Sequence, residues 1–121
     1  MTTTNTYFAV FLGSKTNPRM KAWMSLPEAE RRVKEQEGMA AWHRWVEKYR
    51  DVILADAGPL GTPRKFSVLF IQKTAYEMGA FAVVRADSHE AAARMFEAHP
   101  HFTIFPGESV EIMPVLPIPG A

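Results

Sequence analysis

The sequence predicts an α+β fold with the element order β-α-β-β-α-β, and three observations carry that expectation. Compact apolar runs at residues 7–12 (YFAVFL), 66–73 (FSVLFIQK) and 80–86 (AFAVVRA) read as strands. A long segment with apolar residues three and four apart separates the first run from the second. A second helical pattern follows Asp87 and Ser88 and leads to a final extended stretch at 109–118 (SVEIMPVLPI). This order is the ferredoxin-like split βαβ arrangement, a four-stranded antiparallel sheet with helices on one face.

Each element has its own signals. Residues 13–19 (GSKTNPR) read as a loop after the first strand. In 25–38 (SLPEAERRVKEQEG), Ser25 is placed to cap a helix, Pro27 suits its first turn, and Glu28 and Glu30 favour the positive end of the dipole. Met39, Trp42, Val46, Tyr49 and Ile53 continue a helical stripe. Val33 lies off that stripe, which predicts a kink or a break into two helices at Gly38. Residues 55–65 (ADAGPLGTPRK) are rich in turn formers, and 74–79 (TAYEMG) read as a hairpin connection. Asp87 or Ser88 caps the second helix, with Ala92, Met95 and Phe96 facing inward. Pro114 places the last strand at an edge or a bulge.

Length and composition bound the rest. A chain of 121 residues is expected to form one domain, 1–121, and its 47% hydrophobic and 22% charged content is ordinary for a globular protein. Fourteen Lys and Arg against thirteen Asp and Glu leave a formal charge of +1, without the basic excess of a nucleic-acid binder. The absence of cysteine excludes disulfides, zinc–thiolate sites and a Cys nucleophile. No stretch approaches the roughly 20 apolar residues of a membrane span, and the start of the chain lacks a signal-peptide pattern, so no membrane association and a cytoplasmic location are expected. The strands at 7–12, 66–73 and 80–86 are apolar at both parities, whereas a one-sided sheet alternates. A homodimer through sheet faces would cover the second face; a helical segment split at Gly38 and wrapped over both faces is the alternative.

Four pieces of the chain together resemble the YCII-related family of the dimeric α+β barrel superfamily. They are 42–49 (WHRWVEKY), 57–61 (AGPLG), 79–100 (GAFAVVRADSHEAAARMFEAHP) and 107–115 (GESVEIMPV). The resemblance runs over nearly the whole chain. It implies a dimeric α+β barrel, and a small cofactor-free enzyme using His-centred acid–base chemistry on a small organic molecule. A dimeric ligand-binding or accessory module with structural histidines is the other reading. The sequence departs from the family pattern at three places. His99 stands where many members carry an acid before a proline, Met113 where they carry Arg, and the Asp-Gly-Pro-Phe segment of one branch is absent. Some members pair a helix histidine with an aspartate; His43 lies in the corresponding helix, about two positions from the matching place.

The candidate chemistry rests on three histidines and one carboxylate. His99 and His101 flank Pro100, which biases His99 toward extended geometry, so that the two imidazoles would share one side of the chain. They would act as acid–base groups near pKa ~6.5. A metal site is a further option, but it needs ligands beyond this pair, from His43, Asp56, Glu111 or a second subunit. Alternatively His99 caps a helix C-terminus and His101 is a solvated loop residue. His43 flanks the aromatic stripe and Asp56 is the acidic residue best placed to partner a histidine. Trp42 and Tyr49 are candidates to line a cavity for a ring-shaped ligand. Two nucleic-acid and nucleotide readings fail. At residues 78–85 (MGAFAVVR) Ala80, Ala82 and Arg85 stand where an RNA-recognition motif needs aromatics, and 58–65 (GPLGTPRK) lacks P-loop spacing.

Overall fold

The computed structural model describes residues 5–14, 16–61, 63–66, 71–73 and 78–119, with the backbone alone at 56–57, 66 and 72–73. Its strands are β1 (Thr6–Leu12), β2 (Ile53–Pro59), β3 (Arg64–Phe66), β4 (Ile71–Lys73), β5 (Met78–Arg85) and β6 (Ser109–Pro114). Its helices are α1 (Pro18–Met24), α2 (Glu28–Lys48), α3 (His89–Arg94) and α4 (Pro100–Thr103), with a 3-10 turn at Arg50–Val52. The main sheet has the order β2-β5-β1-β6, every pair antiparallel. That is the ferredoxin-like order, with the β3–β4 hairpin as a separate two-stranded insertion.

Alternation along β1 and β5 sends Tyr7, Ala9 and Phe11, and Ala80, Ala82 and Val84, to one face. Ala9 lies opposite Ala82 at the centre of that face. Two side chains this small leave room for the rings of Trp45 and Phe96, which join Ala92 and Met95 in the helix layer. The indole N–H of Trp45 donates to the Met95 carbonyl at 2.7 Å, so the ring is buried without an orphaned donor. The opposite face carries Phe8, Val10, Phe81 and Val83, with Phe8 and Phe81 rings 6.0 Å apart and only partly buried.

The structure corrects four sequence expectations. The sheet's second strand is Ile53–Pro59, not 66–73: the described ends of that run form the β3–β4 hairpin, and residues 67–70 and 74–77 lie outside the described residues. β2 was hidden because Asp56, Gly58 and Pro59 are turn formers, and its pairing with β5 shifts register twice to accommodate them. Residues 18–24 form a helix whose N-cap is Asn17, its side chain accepting from Met20 N–H at 2.8 Å, with Pro18 in the first turn. Ser25 belongs to the end of this helix, and α2 begins after Pro27 without a side-chain cap. Finally, α2 runs unbroken through Gly38, and the off-stripe Val33 is simply 53% exposed.

Gly38 serves close approach instead. A Cβ there would lie 2.5 Å from the Phe105 ring and 3.1 Å from Ile104 Cγ2. Phe105 is itself packed between Trp23 and Trp42, with ring centroids at 5.7 and 6.3 Å. Gly38→Ala should gain about 1 kcal/mol of helix propensity yet lose more to overpacking, which costs about 1–3 kcal/mol. The expected result is a lowered urea midpoint; a raised midpoint would mean that Phe105 yields freely.

Candidate functional site

The site is built by the segment that returns from β5 to β6. Ser88 caps α3 by accepting from the Ala91 N–H at 3.0 Å, and the helix ends at Arg94. The chain then turns, and Ala98 takes a left-handed φ of 56°, a conformation that reverses direction at some cost for a residue with a Cβ. His99 follows in extended geometry with Pro100 as the first residue of α4. The His99 side chain is the N-cap: its Nδ1 accepts from the His101 backbone N–H at 3.0 Å. An acceptor is what this position needs, so an imidazole here does the work usually given to a carboxylate or hydroxyl. Extended geometry therefore does not continue past His99, and the two rings do not align as neighbours on a strand. Nor does His99 sit as a cation at a helix C-terminus.

Accepting from an N–H fixes the His99 tautomer, because Nδ1 must hold the lone pair and Nε2 the proton. That ring has no solvent exposure. It lies among Phe11, Trp42, Trp45 and Phe96, with centroids at 4.9, 4.5, 4.8 and 6.1 Å. The Trp42 and Trp45 contacts are edge-to-face. Among the described residues, Nε2 is a buried side-chain atom without a hydrogen-bond partner. Burial, with a smaller contribution from His101, pushes the His99 pKa down from 6.5 to about 3.

His101 is buried as well, not a solvated loop residue. Its Nε2 lies 3.0 Å from both the Leu12 and the Ser109 carbonyl oxygens. Carbonyls only accept, so Nε2 carries the proton and Nδ1 is the ring's basic atom. Leu12 and Ser109 are paired across β1 and β6, which makes the ring a bridge over the end of that ladder. Gly107 permits the placement, since a Cβ there would fall 2.2–2.4 Å from three atoms of the His101 ring. Arg19 of α1 closes the other side, donating to the carbonyls of Phe102, Phe105 and Gly107. Burial lowers the His101 pKa, the two carbonyls oppose that shift, and the Arg19 charge adds to it.

Between α2 and the sheet lies a cavity of about 530 Å³. Phe11, Met39, Trp42, Val46 and Phe105 make its walls apolar, and His43 and His101 are the polar side chains among its described lining residues. The structure thus brings His43 and His101 to one cavity, while His99 stands behind the cavity-lining Phe11 and Trp42. Trp42 lines this space but Tyr49 does not: Tyr49 packs on Trp45 and faces a different cleft, with Asn5, Arg85 and Asp87. Asp56 lies in β2, two residues before the cavity-lining Gly58, and its side chain is outside the described residues. No group of three or more His, Cys, Asp or Glu able to hold a metal ion occurs among the described residues. Sequence reasoning missed Arg19 and Gly107, whose partners are far away in the chain or visible only once the ring is placed.

No family model matches the sequence, and no curated protein matches it. Among solved structures, the chain is similar to 5-chloro-2-hydroxyhydroquinone dehydrochlorinase (TftG) from Burkholderia phenoliruptrix AC1100, in complex with 2,5-dihydroxybenzoquinone. The TM-score is 0.52 at 12% identity, over 89% of this chain and 90% of that one. At that identity the likeness shows the fold alone, and the similar protein is, by its name, a dehydrochlorinase. No helix among the described residues is long and apolar enough to cross a membrane.

The depressed His99 pKa has a consequence for stability. The unfolded chain takes up a proton near pH 6.5 and the folded chain only near 3, so the folded state is penalised as pH falls through that window. His99 alone should remove about 2 kcal/mol of stability between pH 7 and pH 5, all of it restored above pH 6.5. His101 adds to the loss in the same direction. Urea denaturation at the two pH values measures it, and His99→Asn, which keeps a capping acceptor but does not titrate, should show a smaller loss. Equal stability of the wild type at pH 7 and 5 would contradict a buried neutral His99.

Proposed function

We propose that the chain is a YCII-related protein whose cavity between α2 and the sheet takes a small ring-shaped organic molecule and moves a proton on it. The observation that carries this reading is the pairing of His43 and His101 on an otherwise apolar cavity of about 530 Å³. A mostly apolar pocket with a few polar groups is the usual form of a small-molecule site. His101 suits the role of base. Its Nε2–H is held by two carbonyls, leaving Nδ1 with the lone pair, and its lowered pKa keeps the ring neutral at pH 7. His43, exposed on α2, is the second proton-transfer group at the rim. His99 fixes the turn that presents His101, and no cofactor enters the scheme. The similar dehydrochlorinase acts on a hydroxylated ring, which agrees with a ring-sized apolar site here.

A second reading is favoured by the backbone bonds of His99 and His101, which are what structural histidines make. In that case the chain is a ligand-binding or accessory module. Deuterium uptake from solvent into an enolisable ring, 1,2-cyclohexanedione, separates the two. The wild type should catalyse exchange, and His101→Gln should slow it by about 10²–10⁴-fold with binding retained. Binding without exchange supports the module.

The partly buried apolar face carrying Phe8, Phe81 and Val83 supports a homodimer through sheet faces, with about 800 Å² covered per subunit. Sedimentation should give twice the 13.6 kDa chain mass. A monomer at that mass would overturn this assembly, and Phe81→Glu should convert the dimer to monomer.

A further inference from the structure

The Nε2–H of His99 is unused by everything described so far. It is a buried donor without a hydrogen-bond partner among the described residues, fixed as a donor by the bond that Nδ1 accepts. Leaving such a group unpaired is costly, because its desolvation goes uncompensated. The rings of Trp42 and Trp45 meet the imidazole edge-to-face and carry no acceptor atom for it, since an indole nitrogen only donates. Two of the rings around it, Phe11 and Trp42, also wall the cavity. One side-chain layer, Phe11 and Trp42, therefore separates the buried imidazole from the ligand space. Trp42 is half-buried and lines the cavity, with its ring against those of Phe11, His99 and Phe105. Its neighbour Phe105, opposite Gly38, is half-buried too.

We propose that His99 Nε2–H is a ligand-binding subsite, which donates a hydrogen bond to a carbonyl or oxyanion oxygen on the ring of the bound molecule once the Trp42 ring swings aside. This rests on the cavity reading above and adds a substrate class to it: a ring compound bearing an oxygen acceptor. The division of labour is chemical. His101 Nδ1 takes a proton, and His99 stabilises the charge that develops on the ring oxygen as that proton leaves carbon. A neutral imidazole suits this because it donates without itself surrendering a proton, and its burial keeps water from competing. The aromatic surround that leaves Nε2–H unpaired in the free protein makes the bond more favourable when an acceptor arrives.

Two ligands of nearly equal shape test it: acetophenone, which carries a carbonyl, and isopropylbenzene, which does not. Their affinities are measured by titration calorimetry for the wild type and for His99→Asn. The amide keeps the cap acceptor of α4, but it is shorter than the imidazole and stops short of the Trp42 ring. The acetophenone-to-isopropylbenzene affinity ratio should fall at least tenfold in the variant, with isopropylbenzene itself little changed. A crystal structure of the wild type with acetophenone should place the ketone oxygen within about 3 Å of Nε2, a hydrogen-bond distance, with Trp42 rotated. An unchanged ratio overturns the proposal, and so does a ketone oxygen directed away from His99, a readout that holds even if the variant does not fold. If the wild type binds both ligands and His99 makes no difference, the cavity reading stands and this inference alone falls. If neither ligand binds, both fall.

Discussion

The bond from His101 Nε2–H to the Leu12 and Ser109 carbonyls is the constraint on which the rest of the site depends. It joins α4 to the end of the β1–β6 ladder, where the Leu12 carbonyl also accepts from the Glu108 backbone N–H at 3.0 Å. Three further features exist to make it possible. Gly107 leaves space for the ring, Arg19 gathers the carbonyls of the following turn, and His99 caps the helix that carries His101. None of these has the form of a surface ion pair worth a few tenths of a kcal/mol. The histidine bonds are buried or half-buried contacts in which a lost partner strands a polar group, while the Arg19 bonds lie at the more exposed side of the turn. His101 and Phe105 of this segment form one wall of the cavity.

That wall explains how an apolar space holds basic groups without charging them. Burial disfavours the imidazolium at both His99 and His101, and each ring has one nitrogen committed to the backbone. The two commitments are opposite in kind. His99 accepts with Nδ1 and keeps an N–H to offer; His101 donates with Nε2 and keeps a lone pair. Two positions separated by one proline thus supply one fixed donor and one fixed acceptor. Pairs of titratable groups driven into different roles by their surroundings are how acid and base functions are divided in one site.

Much of the fold was legible in the sequence. The apolar runs of β1 and β5, the inward set Ala92, Met95 and Phe96, and the edge position of Pro114 follow directly from periodicity and proline chemistry. β2 was not legible, because a strand made of Ala55, Asp56, Gly58 and Pro59 carries the composition of a turn and owes its existence to pairing with β5. Trp45, the buried ring of α2, fell outside the chosen stripe because several aromatic residues compete for one face. Gly38 read as a breaker for want of knowing that Phe105 would lie against it. At the site, Pro100 announced a helix start as much as a helix exit, since proline favours the first helical position. That signal would have made His99 an N-cap. The cavity shared by His43 and His101 followed from placing helix over sheet; the partners of His101, 89 and 8 residues away, lie beyond any local rule.

Both buried rings are neutral, each with its proton on Nε2. Long-range ¹⁵N–¹H correlation spectra of the imidazoles at pH 7 measure that state directly. The expected result is the Nε2–H tautomer for His99 and His101, with His99 unprotonated at Nδ1 until the pH approaches about 3. An Nδ1–H tautomer at His101, or an imidazolium at either residue at pH 7, would contradict it.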